Sequence, residues 1–411
     1  MTRFMFSPFD STGRPLWLRM LLALPLAMGL QSSYALDLGQ NLQVHGFLTQ
    51  GYVKTTDNRF FGDSDSKNGS FDYTELGVNA SFRATPSILL AGQLLSRRAG
   101  DMYDGSPTVD FALVDWNIST SQDSDYGILV GRIKNPLGFY NETRDVAFTR
   151  PSIFLPQQVY FDKVRNLVLS SDGGQIHGEF YKPSGYWRVN FGIGSNTVDE
   201  NVEFSYLGND FGGDLKPKGV SYTGRVEYET PDGAWLMALS AARGSLAFDA
   251  GATDPIGSGD IDFLYWIASL QYNAERWSLT AEYMEEPTDF DGFGPLRDGG
   301  DGAVQGYYLL GSYLLRDNLE LLARYAEGFV DKHDRDGRKA SAASGGLAPP
   351  HSFFQKDWMI GVRWDVTPNF MLRAEYQWND GTWTLSPREN PVAGDTVKDW
   401  DMFSLLASYR F

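Results

Sequence analysis

This 411-residue sequence predicts an all-β fold, a transmembrane antiparallel β-barrel of sixteen strands, and three observations carry the prediction. Apolar and polar residues alternate with period two in sixteen short runs. The connections between runs switch regularly between tight turns and long polar loops. One face of the runs is rich in Trp, Tyr and Phe near the run ends, and the other carries isolated Arg and Glu.

The last three runs show the alternation most clearly. In 357–365 (DWMIGVRWD), Trp358, Ile360, Val362 and Trp364 share one face while Asp357, Gly361, Arg363 and Asp365 share the other. After the turn VTPN, Phe370, Leu372, Ala374, Tyr376 and Trp378 oppose Arg373, Glu375 and Gln377. The closing run puts Phe403, Leu405, Ala407, Tyr409 and Phe411 on one side. Similar runs fall at 42–54, 71–84, 87–98, 108–119, 125–135, 172–182, 186–195, 219–229, 233–242, 260–273, 276–285, 302–315 and 318–328. Turn residues such as Pro183-Ser184-Gly185 and Pro231-Asp232-Gly233 mark the short connections. Long loops are expected near 55–70, 99–107, 136–171, 196–218, 243–259, 286–301, 329–356 and 379–399.

The charged face decides the setting. A packed core does not tolerate unpaired Arg and Glu, whereas a watery interior does. With the sheet turned so that its apolar face meets lipid and its polar face lines the interior, both faces make sense. Lipid admits no open sheet edge, so the sheet must close.

Residues 1–35 are set apart as a signal peptide, leaving 36–411 as the barrel. Arg3, Arg14 and Arg19 make a basic lead, Met20–Leu30 an apolar core, and Ser33-Tyr34-Ala35 a cleavage site after Ala35. The apolar run is too short for a membrane-spanning helix, which needs about 20 residues. About six residues then precede the first strand, too few for a separate plug domain. Taking three Arg and one Asp from totals of 35 basic and 52 acidic residues leaves 32 and 51, a net charge of −19. Such an acidic chain argues against nucleic acid as a partner. With no cysteine, disulfide scaffolds and thiolate metal sites are excluded.

Against that acidic background, 131–166 (GRIKNPLGFYNETRDVAFTRPSIFLPQQVYFDKVRN) gathers Arg132, Lys134, Arg144, Arg150, Lys163 and Arg165. Alternation with Leu129, Gly131 and Ile133 predicts that Arg132 and Lys134 face the interior. Other predicted inward cations are Arg83, Arg97, Arg188, Arg225, Arg324, Arg363 and Arg373. Opposing them are Glu75, Asp115, Glu179, Glu227, Glu282, Glu320 and Glu375. Arg363 and Arg373 lie on consecutive strands and suggest a basic ladder, which Glu320 and Glu375 would neutralise.

Gly131, Lys134, Pro136, Gly138, Arg144, Asp145 and Phe148, with the barrel pattern and a terminal Phe411, resemble the phosphate-selective porin group and related sixteen-stranded porins. The resemblance implies a homotrimer in the bacterial outer membrane that passes small hydrophilic or anionic solutes. It implies partners in outer-membrane lipid, lipopolysaccharide and the barrel-assembly machinery, and no cofactor. It also implies that the third loop, 136–171, folds inward as a constriction. The pore residues are then Arg132, Lys134, Arg144, Arg150, Lys163, Arg165, Arg97, Arg363 and Arg373, setting selectivity through local potential. The competing reading is structural: Arg144 pairs with Asp145 or Glu142, and Arg165 with Asp162, pinning the loop. The strongly acidic composition departs from the basic pore lining of phosphate-selective members.

Enzymatic function finds little support. His177 and Glu179 share a face without a serine motif, and His333 and His351 lie in an exposed-looking loop. The fragments DFDGFG (289–294) and DRDG (334–337) lack the later Glu of a calcium loop. No metal site is expected. The rival to a channel is a non-conducting barrel serving as a surface receptor or adhesion platform.

Overall fold

The computed structural model describes residues 36–37, 41–209, 211–294 and 302–411. The signal-peptide reading of 1–35 lies outside the described residues.

Sixteen antiparallel strands form the barrel. The first eight are β1 (Leu42–Thr55), β2 (Ser70–Thr85), β3 (Ile88–Ala99), β4 (Tyr103–Thr120), β5 (Ser124–Lys134), β6 (Ser170–Lys182), β7 (Gly185–Asn196) and β8 (Ser221–Glu229). The rest are β9 (Trp235–Asp249), β10 (Gly259–Asn273), β11 (Trp277–Asp291), β12 (Gly302–Arg316), β13 (Leu319–Phe329), β14 (Phe354–Thr367), β15 (Phe370–Gly381) and β16 (Asp399–Arg410). Each pairs with the next in sequence, and β16 pairs with β1 from Met402↔Thr55 to Arg410↔Phe47, closing the barrel. Two short strands, Leu36–Asp37 and Asp214–Pro217, pair with β1 and β9.

The two faces separate as the alternation predicts. Trp358 is 60 % exposed and Ile360 52 %, while their neighbours Asp357 and Met359 are buried. Exposed aromatics cluster towards strand ends, with Trp116, Tyr126, Trp187, Trp235, Trp277 and Trp364 at the short-turn side. Rings at these positions fit the girdles of a membrane barrel, where an amphipathic ring prefers the interface.

Several strands outrun their sequence limits at the long-loop side. β4 begins at Tyr103, so the connection expected at 99–107 shrinks to three residues. Asp104, Gly105, Ser106 and Pro107 look like turn residues, but Gly105 takes φ +90° and the β3–β4 register shifts twice, keeping the pairing. β9 and β11 likewise run on to Asp249 and Asp291, where polar side chains on both faces hid the period.

Among the described residues the long connections supply three short α-helices: α1 (Arg165–Leu169), α2 (Glu200–Leu207) and α3 (Arg338–Ala343). Asp199 caps α2 by accepting the Val202 N–H at 2.9 Å. Two apolar cores form where connections meet inward-facing strand residues. One gathers Leu137, Val159, Tyr160 and Leu167 with Leu246, Ile261, Ile267 and Met284. The other joins Phe60, Phe61, Phe148, Ile153 and Phe154 with Tyr73, Met371 and Met402.

Candidate functional site

The site is built around the segment between β5 and β6, residues 135–169. Its sequence breaks the two-residue period at Pro136 and then supplies Leu, Val, Phe and Tyr at irregular spacing. Such a segment has nowhere in water to bury those groups and packs where apolar surface is offered. Inward-facing side chains from most of the wall meet it. The Gly138 N–H donates to Ser240 Oγ of β9 at 2.8 Å. Glu282 of β11 accepts from Tyr160 Oη (2.6 Å), the Phe139 N–H (2.9 Å), Ser269 Oγ (2.6 Å) and Tyr308 Oη (2.6 Å). Tyr265 of β10 donates to the Val159 carbonyl, and Gln158 donates to Asp357 of β14. Arg324 of β13 donates to the Phe154 carbonyl at 3.2 Å, and Glu375 of β15 accepts the Ile153 N–H at 2.7 Å. Gly138, at φ +58°, allows this approach, because a Cβ there would collide with Tyr160 Oη.

The basic residues of the segment are mostly occupied. Arg150 Nη2 lies 2.9 Å from Glu75 Oε2, and its Nη1 donates to Tyr73 Oη at 2.9 Å. Arg97 bridges Glu75 and Asp162, each at 3.3 Å. Arg144 pairs with Asp162 at 3.2 Å, not with Asp145 or Glu142. Arg165 pairs with Asp145, not Asp162, and Lys134 pairs with both Asp145 and Asp110. The pairing reading thus holds in kind while its partners are exchanged. Chain neighbours in the turn 140–145 point apart, and Glu142 reaches Arg225 of β8 at 2.6 Å instead. Burial opposes charge on Asp145, yet Arg165 and Lys134 hold its carboxyl well below the ordinary carboxylate range.

Arg132 requires a correction. It shares its parity with Val130, which is 56 % exposed, and its partner Asp172 shares that of Ile176, 57 % exposed. Arg132 therefore points outward, held by Asp172 at 2.8 and 2.7 Å and by the Val109 carbonyl at 3.1 Å. Ile133, of the other parity, is buried. Apolar residues occupy both parities of β5, Ile128 and Val130 on one and Leu129 and Ile133 on the other, so alternation alone does not fix its faces. Lys134, also expected to face open space, is buried between its two carboxylates.

Lys163 has no carboxylate at ion-pair distance among the described residues. It donates to the Trp383 carbonyl at 2.6 Å with the Trp383 ring 5.3 Å away, and burial pushes its ammonium down to about 8. On the wall, Arg363 and Arg373 are direct register partners across β14 and β15. Arg363 pairs with Asp365 at 3.0 Å and bonds the Phe148 carbonyl at 3.3 Å. Arg373 is buried, donates to the Ala147 and Arg150 carbonyls, and has no carboxylate at ion-pair distance among the described residues. Phe148 lies beneath the guanidiniums of Arg410 (4.1 Å) and Arg363 (5.9 Å). His177 sits 3.1 Å from Asp115. Among the described residues no three metal-capable side chains converge.

The carboxylates that receive these cations were partly missed from sequence. Glu75, Glu282 and Glu375 carried the inward signal. The run 108–119 does not mark Asp110 as an ion-pair partner, and Asp145 and Asp162, expected to pair within the segment, take other cations than the sequence suggests.

The fold is that of the outer-membrane β-barrels. Among solved structures it is similar to the outer-membrane channel DcaP of Acinetobacter baumannii, with a TM-score of 0.55, 14 % identity, and coverage of 93 % of this chain and 100 % of that one. Pseudomonas putida OprB gives 0.53 at 13 % identity, covering 91 % and 95 %. Salmonella typhi OmpF, solved with daunomycin, gives 0.52 at 16 % identity, covering 90 % and 98 %. Identity at this level carries the fold alone, not the narrower phosphate-selective group. No protein-family model and no curated protein matches the sequence.

Proposed function

We propose that the protein is an outer-membrane channel through which small hydrophilic solutes diffuse passively, with 136–171 folded inward as its constriction. The observation that carries this reading is the web of hydrogen bonds from segment 135–169 to inward side chains of β2, β9, β10, β11, β13, β14 and β15. A segment tied to that many strands of one closed barrel spans its bore. The likeness to DcaP, a channel by its description, supports the same reading. Its localisation in the outer membrane after cleavage of 1–35, its contacts with lipopolysaccharide and the assembly machinery, and its assembly as a homotrimer belong to this proposal. No chemical step is part of it.

Charge preference is assigned to the wall rather than to the segment. The exposed residues of the segment, Thr143 and Thr149, are uncharged, and its half-buried cation Lys163 is bonded to the Trp383 carbonyl. Arg363 and Arg373 remain as a basic pair on facing strands, and a modest anion preference rests on them. Planar-bilayer recording of the purified protein tests the channel: discrete conductance steps are expected, and their absence refutes it. The two apolar cores inside the barrel favour a second reading, a non-conducting surface receptor or adhesion platform, and the same recording separates the two.

A further inference from the structure

Besides Glu142 with Arg225, two clusters of buried ion pairs hold segment 135–169. In one, Lys134 and Arg165 face Asp110 and Asp145, and the charges cancel. In the other, Arg97, Arg144 and Arg150 share, among the described residues, only Glu75 and Asp162. Three guanidiniums against two carboxylates leave one positive charge over. All five side chains are 11 % exposed or less. Arg373 and Glu375, which bond the backbone at Arg150 and Ile153, add one charge of each sign and change nothing. A buried uncompensated charge is strongly unfavourable, so something must balance it.

The excess surrounds a cavity. Its volume is about 10 Å³, and Tyr73, Glu75, Arg97, Arg144, Arg150 and Asp162 are among its lining. That is about the least space that admits one solvent-sized particle. Of the guanidiniums that line it, Arg97 Nη1 and Arg150 Nε are buried without a hydrogen-bond partner. Space, surplus positive charge and unused donors thus coincide.

We infer that this cavity holds one small monovalent anion of chloride size, bound by Arg97, Arg144 and Arg150. The ion is the missing counter-charge that seats segment 135–169 against β2 and β3. Water would fill the space and take a donor but leave the charge. Sulfate would bring two negative charges against a surplus of one. The inference holds whether or not the barrel conducts.

Crystals of the full protein grown in sodium bromide test it directly. One anomalous bromide peak within hydrogen-bond reach of Arg97 Nη1 is expected, and a cavity holding only water overturns the inference. In detergent, the unfolding temperature should be several degrees higher in sodium chloride than in sodium gluconate of equal ionic strength. Equal values in the two salts also overturn it. Arg97→Gln, which removes the surplus charge, should abolish the difference between the salts. Should that variant fail to fold, the bromide and salt results on the parent protein still decide.

Discussion

Segments 135–169 and 330–353 each interrupt the strand alternation, each run for more than twenty residues, and each carry four Lys or Arg. In the first, Arg144, Arg150 and Arg165 are buried against carboxylates, and the half-buried Lys163 donates to a carbonyl. In the second, the Arg338 side chain is 81 % exposed and pairs only with its neighbour Asp336, and α3 has no buried residue. The apolar residues make the difference. Segment 135–169 offers Leu137, Phe148, Ile153, Phe154, Leu155, Val159, Tyr160 and Leu167 to two cores. The helix-bearing stretch 334–348 offers mainly Leu347, which stays 84 % exposed. A basic loop with apolar residues packs them into cores and its charges become structural. A basic loop with few of them keeps most of its length exposed, with Lys332 and Arg335 reaching Glu285 and Gln305.

Substitutions in the two segments should therefore differ most at the ionic core. Glu75→Ala strands Arg97 and Arg150 without their shared carboxylate and should cost ~3–5 kcal/mol. It should also open segment 135–169 to limited proteolysis, read by cleavage within 135–169 while the barrel stays intact. Phe148→Ala removes the ring beneath Arg410 and Arg363 and should cost about 3 kcal/mol, read by denaturant unfolding. If either variant behaves like the parent, the segment is not held as described.

Lys163 gives a smaller effect with a defined sign. Its pKa falls from 10.5 to about 8 on folding, so the fold disfavours the charged form. Its contribution is fully present above pH ~10.5 and is lost as pH falls through about 8. The unfolding temperature of the parent should rise from pH 8 to 10.5 relative to that of Lys163→Met. At the other end of the comparison, Arg338→Ala should change neither stability nor proteolysis measurably, because surface ion pairs contribute little. A large effect there would break the contrast.

The strands were legible because lipid on one side imposes a strict period on every run, and all sixteen fall where the alternation puts them. The site was legible only in part. The sequence marks 131–166 as unusual, and Glu75, Glu282 and Glu375 as inward. It does not reveal that Arg144 bypasses Asp145 for Asp162, since that choice depends on the turn at 140–145 and the return of the chain at 162. Nor does it reveal that Arg132 points outward. Face assignment from apolar residues needs them on one parity, and β5 carries Ile128 and Val130 on one parity and Leu129 and Ile133 on the other.

The central claim is that the basic residues of 131–166 hold the segment in place while the wall sets the charge preference. Reversal potential across a salt gradient tests it most directly, in the parent, Arg132→Ala, Lys163→Met and Arg363→Gln. An anion preference unchanged by the first two substitutions and diminished by Arg363→Gln is the expected result. A cation preference in the parent, or a shift in Arg132→Ala or Lys163→Met as large as that in Arg363→Gln, would contradict the account.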